Sequence, residues 1–120
     1  MPPVVPREAE PPLIVALDIG TSSVRALLFD RRGFALAGLE GRAAYAMEVT
    51  PDGGVQTDAD GMVARVVQCL DALLTAPGTR LPPIAAVATS AFWHSLVGVD
   101  AGGRAVTPLY SWGDTRSLLE

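Results

Sequence analysis

Two aliphatic runs, Leu13–Leu17 and Val24–Phe29, are separated by only six residues, "DIGTSS". Both are rich in branched apolar side chains and read as strands. A parallel pair needs a crossover of roughly a dozen residues or more, so this short link makes the two antiparallel. "DRRG" at 30–33 turns the chain again, into a third strand around Phe34–Tyr45. The expectation is a three-strand antiparallel meander, with "TPDGG" at 50–54 as a loop beyond it.

The apolar period then changes. Val63, Val66, Val67, Leu70, Leu73 and Leu74 recur at helical spacing. Thr57 and Asp58 are candidate N-caps, and Thr57 with Asp60 resembles a capping box. "APG" at 76–78 stops the helix. "IAAVATS" at 84–90 is apolar without alternation, the pattern of a central strand covered on both faces. The helix is therefore a crossover that sets this strand parallel to the first. "SLVGVD" and "AVTPLY" around "AGGR" at 101–104 predict an inserted β-hairpin. "DTRSLLE" begins a final helix. The fold class is α/β.

A chain of 120 residues holds one domain at most. Five of its ten prolines fall in "MPPVVPREAEPP", which reads as a disordered tail over 1–12 and leaves 13–120 to fold. That tail lacks the basic and apolar regions of a signal peptide. The longest aliphatic stretch, "LIVAL" at 13–17, is too short to span a membrane. A net charge of -4 gives no nucleic-acid footprint. All nine cations are Arg, which excludes a P-loop lysine, a Schiff-base lysine and a lysine base. One cysteine, Cys69, and one histidine, His94, exclude a disulfide framework and a Cys/His zinc site. A reducing, cytoplasmic setting fits. Cys69 reads as a small packed hydrophobe, Asp58, Asp60 and Asp71 as caps or solvated groups, and Arg31 and Arg32 as turn solubilisers.

The chemistry gathers between the first two strands. Gly20 has no Cβ and can take positive φ, so an anion can approach the backbone. The N–H groups of Gly20, Thr21 and Ser22 can form an anion-binding concavity, with hydroxyls of Thr21, Ser22 and Ser23 as further donors. Asp18, ending the first strand, can hold Mg²⁺ through water. Arg25 can reach the oxygens of a transferred phosphate. The plain alternative is a polar hairpin capped by Asp18.

"LDIGTSSVRALLFD" resembles the first phosphate motif of the actin-like ATPase superfamily. In the form Asp-x-Gly-Thr-Ser-Ser-x-Arg, then apolar residues and Asp, it is similar to the FGGY carbohydrate kinases. "VATSAFWHSLVGVDAGGRAVTPLYSW" at 87–112 is similar to that family's sugar-contacting strand and hairpin. "WGDTRS" at 112–117 resembles its Trp-x-Asp-x-Arg element. The likeness covers residues 13–117 and is nearest the gluconate-kinase-like branch, on "WHSL" and "WGDTRS". Xylulose kinases more often carry Gly-Gln-Met-His where this chain has Ala91-Phe92-Trp93-His94.

The resemblance implies part of a ribonuclease-H-like (actin-like ATPase) fold. It also implies ATP and Mg²⁺ as cofactors and phosphorylation of a sugar or sugar-acid hydroxyl. By the same likeness Gly20, Thr21, Ser22, Ser23 and Arg25 bind phosphates, and Asp18 serves the metal through water. Trp93, His94, Asp114 and Arg116 would line the acceptor pocket, with Arg116 suited to a sugar carboxylate. Taken alone, His94 reads as a satisfied structural histidine, Trp93 as core, and Asp114 with Arg116 as a surface ion pair. The family's general base and adenosine pocket lie further along. The expectation is thus an incomplete first lobe, without a catalytic base and inactive alone. Two other readings stand beside it: a non-catalytic nucleotide- or sugar-binding module, and a metal-dependent nuclease of ribonuclease-H-like fold. The nuclease would need several converging carboxylates.

Overall fold

A computed structural model describes residues 2–76 and 80–119. Alternation builds its main sheet. Strand β1 (Leu13–Ile19) buries Leu13, Val15 and Leu17, and β2 (Ser23–Phe29) buries Val24, Ala26 and Leu28. Strand β3 (Ala35–Ala44) buries Leu36, then Leu39 and Ala43. Even and odd positions share one face there because the β2–β3 register slips by three residues between Leu27 and Phe29, with Gly38 at φ 71° in the slipped stretch. β1 pairs antiparallel with β2, and β2 with β3, as expected.

Helix α1 (Ala59–Leu74) lies over β2 and β3 and buries Met62, Cys69 and Leu73. Its cap is Asp58, whose carboxylate accepts the Gly61 N–H at 2.7 Å, rather than the expected Thr57–Asp60 box. Thr75 closes the C-terminus, donating its N–H to the Asp71 carbonyl at 2.9 Å. Pro77 and Gly78, the expected stop, lie outside the described residues. Cys69 packs as a small hydrophobe, its Sγ donating to the Val24 carbonyl at 3.3 Å. The helix comes so near the sheet that a Cβ on Gly41 would run into the Cys69 carbonyl. No helix among the described residues is long and apolar enough to cross a membrane.

Beyond the crossover, β6 (Ile84–Ala91) pairs parallel with β1, giving the order β3-β2-β1-β6. It was expected to be covered on both faces, yet all eight residues are exposed. The apolar run reports the character of the strand; α1 packs on β2 and β3, away from β6 in the strand order.

A second sheet was not foreseen. β4 (Glu48–Val49) and β5 (Val55–Thr57) flank the 50–54 loop, and β7 (Leu109–Tyr110) joins them in the order β4-β5-β7. The expected hairpin exists as two bridged arms, Leu96 with Tyr110 and Val99 with Ala105, around a turn that Asp100 closes. The final segment forms a 3₁₀ turn, Arg116–Leu119.

The N-terminal segment is not the disordered tail its prolines implied. Val4 bridges Leu36 along the free edge of β3, and Pro6–Glu8 forms one 3₁₀ turn. The Glu10 N–H reaches Asp30, which is 1% exposed. Asp30 also accepts the N–H groups of Arg32 and Phe34 and two bonds from the Arg32 guanidinium at 2.9 and 3.0 Å. Arg32, read as a turn solubiliser, is thus the partner of a buried acid. Burial raises the Asp30 pKa, but these hydrogen bonds outweigh it and bring it to about 2. A folded pKa below the ordinary carboxylate value of 3.8 favours the folded state above that pH. Stability is expected to fall as pH drops from 3.8 towards 2. Thermal unfolding across that window checks it, with a shallower slope expected in Asp30→Asn.

Candidate functional site

The polar loop sits where β1 gives way to β2. Asp18 and Arg25 are cross-strand partners, and the Arg25 guanidinium donates to Asp18 Oδ2 at 2.7 Å. Their side chains are 41% and 53% exposed, so the pair is open to a ligand. On its other side Asp18 stands in register with Ser90 of β6.

Gly20 differs from expectation in two respects. It is not among the glycines with positive φ, and its N–H is taken by the Ser23 carbonyl at 3.0 Å. Its small size matters instead, since a Cβ would lie 3.3 Å from that carbonyl. Among the described residues, the Thr21 and Ser22 N–H groups have no partner, so the concavity narrows to those two. Tyr45 was missed by the sequence reading. Its hydroxyl donates to the Gly20 carbonyl and its N–H to the Ser22 carbonyl at 3.0 Å. Burial raises the Tyr45 pKa against the pull of the Arg65 guanidinium, which stacks 5.2 Å over its ring. The phenol therefore remains a donor at neutral pH.

A second cluster forms a cleft of about 520 Å³ lined by His94, Leu96, Tyr110, Trp112, Asp114 and Arg116 together with Ser111 and Ser117. Three of the four expected acceptor residues meet there. Trp93 does not line it; it is 79% exposed and meets the His94 ring edge to face at 6.2 Å. His94 adopts φ 54°, a conformation costly outside glycine and one that turns the chain out of β6. Tyr110 and Trp112 add the aromatic faces that the sequence reading had sought in Trp93.

Asp114 and Arg116 are more than a surface pair. Arg116 Nε and Nη2 grip both carboxylate oxygens at 3.0 and 2.5 Å, and Nη2 also reaches Gln56 Oε1 at 3.0 Å. Asp114 in turn accepts the Val55 N–H, fastening this segment to β5. The Arg116 side chain holds the Asp114 carboxyl well below the usual carboxylate range. Asp114 thus takes the Nε and Nη2 edge of the guanidinium that was expected to receive a sugar carboxylate, and Gln56 a further Nη2 N–H.

The end of β6 and the residues just after it link the two clusters. Ser90 stands beside Asp18, the Phe92 N–H bonds the Ile19 carbonyl at 3.1 Å, and His94 follows in the cleft.

Residues 13–120 match the FGGY family of carbohydrate kinases, N-terminal domain. Apulose kinase of Pectobacterium atrosepticum is 32% identical over 107 residues, 88% of this chain and 21% of that protein. The crystal structure of gluconate kinase from Lactobacillus acidophilus matches with a TM-score of 0.75 at 25% identity, over 89% of this chain and 21% of that one. Plasmodium falciparum glycerol kinase with ADP matches at 0.81 and 13% identity, over 89% and 21%, a likeness of fold alone. The chain spans about a fifth of the length of these relatives. Its sheet and crossover helix are part of the actin-like ATPase fold, and the chain belongs to the FGGY family of carbohydrate kinases.

Proposed function

We propose that the full-length protein transfers the γ-phosphoryl group of ATP to a hydroxyl of a sugar. One observation supports the reading: β6 brings Ser90 beside Asp18, and the segment that follows it carries His94 into the cleft lined by Tyr110 and Trp112. A phosphate loop and an acceptor site in these places would be joined by one short stretch of chain. In such transfers catalysis is mostly positioning and charge stabilisation. Thr21 and Ser22 N–H groups and the loop hydroxyls receive phosphate oxygens. Arg25 fixes the Asp18 carboxylate through one N–H and keeps others for the transferring group. The exposed Asp18 carboxylate suits Mg²⁺ held through water, an ion that neutralises charge developing on the phosphoryl oxygens. Arg25 and Ser90 flank Asp18, and among the described residues no three acidic or imidazole groups gather as a two-metal nuclease would need, which favours a kinase.

In the cleft, His94 and Asp114 bind hydroxyls while Tyr110 and Trp112 face the C–H surfaces of the acceptor. Because Asp114 already neutralises Arg116 and takes one edge of its guanidinium, the cleft offers a sugar carboxylate a weaker cation than the sequence implied, which favours an uncharged sugar. Residues 1–120 alone cover about a fifth of known kinases of this family, and we assign them binding without turnover.

The test is sugar-dependent ADP release by the full-length protein, with a panel of neutral sugars and sugar acids. His94→Ala is expected to raise the sugar KM about tenfold or more, the worth of one or two lost hydrogen bonds. The KM for ATP should hardly change. Equal effects on both substrates would make His94 structural, and no sugar-dependent release would remove the kinase reading.

A further inference from the structure

We propose that Tyr45 is a positioning residue that aims the phosphate-binding amides of the Asp18–Ser23 loop; the inference rests on the kinase reading above. Tyr45 follows directly on β3, whose last residue, Ala44, pairs with Ser23. It therefore stands opposite the loop and binds it twice, hydroxyl to the Gly20 carbonyl and N–H to the Ser22 carbonyl.

The consequence follows from peptide geometry. In a planar trans peptide the C=O and the N–H of one unit point in opposite directions. The Gly20 carbonyl shares its plane with the Thr21 N–H. Holding that carbonyl towards Tyr45 turns the Thr21 N–H the other way, off the sheet. The Ser22 carbonyl anchors the next plane but one. The unit between them carries the Ser22 N–H, now fixed from both sides. These are the two amides that have no partner among the described residues. Tyr45 itself touches no expected ligand, so it acts through the loop alone.

Tyr45→Phe isolates the effect. It keeps the ring, the Arg65 contact and the backbone bond to Ser22, and removes only the bond to Gly20. In the full-length protein, MgADP affinity by calorimetry, both KM values and the melting temperature are compared with wild type. Weakening of MgADP binding and a rise in the ATP KM of about three- to tenfold are expected, with the sugar KM and melting temperature unchanged. Unchanged MgADP affinity would overturn the proposal. So would a variant whose sugar KM moves as much as its nucleotide affinity, since that is general loosening. A wild type that binds MgADP yet phosphorylates no sugar would end the kinase reading, while the MgADP comparison would still decide the role of Tyr45. A wild type that binds no MgADP would overturn both.

Discussion

Asp18→Asn in the full-length protein is expected to lower kcat by about 10²-fold or more, the scale of losing one preorganised electrostatic contact in a transition state. The amide keeps the shape of the carboxylate and still accepts from Arg25. It loses the negative charge through which Asp18 would hold Mg²⁺ by way of water. Folding should be little affected. The Asp18–Arg25 pair is half exposed, and such pairs contribute at most about 1 kcal/mol. Turnover at saturating MgATP and thermal unfolding, measured side by side, check both halves. Unchanged turnover would take Asp18 out of the chemistry.

Gly41→Ala is expected to be among the most destabilising single-methyl additions in this chain, by about 3 kcal/mol or more, at the top of the overpacking range. The new Cβ would collide with the Cys69 carbonyl oxygen and lie 2.7 Å from its carbon and 2.9 Å from Cα. All three are backbone atoms and cannot rotate aside. The helix would have to lift from the sheet, loosening Met62 and Leu73 and stretching the Cys69 bond to Val24. Gly38→Ala is the control. Its φ of 71° makes any side chain strained, by about 1–2 kcal/mol, but nothing lies within 4 Å. Thermal midpoints of both variants decide the order; a larger loss at Gly38 would contradict the close approach of helix and sheet.

The main sheet was legible because its strands are long enough to show a period. β1 to β3 each carry at least three inward residues, and α1 runs for 16 residues with a repeating apolar stripe. The second sheet was not. Its strands are two or three residues long, and β5 finds β7 across more than fifty residues, so neither period nor proximity announces it. Composition misled at Val4, where proline density argued for disorder but the open edge of β3 offered hydrogen bonds. It misled again at β6, since hydrophobicity shows what a strand prefers and says nothing of what lies against it.

The site divides in the same manner. The Asp18–Arg25 pairing follows from the meander register, and the loop residues follow from their chemistry. The Asp114–Arg116 ion pair was legible, but its anchoring was not, because Gln56 and Val55 come from a strand the sequence did not show. Tyr45 had a faint signal. Once β3 is known to end opposite Ser23, the next residue must face the loop.

The stretch that serves both half-sites also limits how the gene can change. From Ser90 to His94 the chain spans at most about 14 Å. His94 sits at φ 54° in the bend just past β6, so one inserted or deleted residue there would move it by up to about 3.6 Å and shift that bend, parting the cleft from the Asp18 loop in a single event. The turn at Asp100–Gly103 touches neither half-site, so its length can drift freely. Length polymorphism among related chains should accordingly collect at the turn and be purged from 91–93, even where the identities of those residues vary.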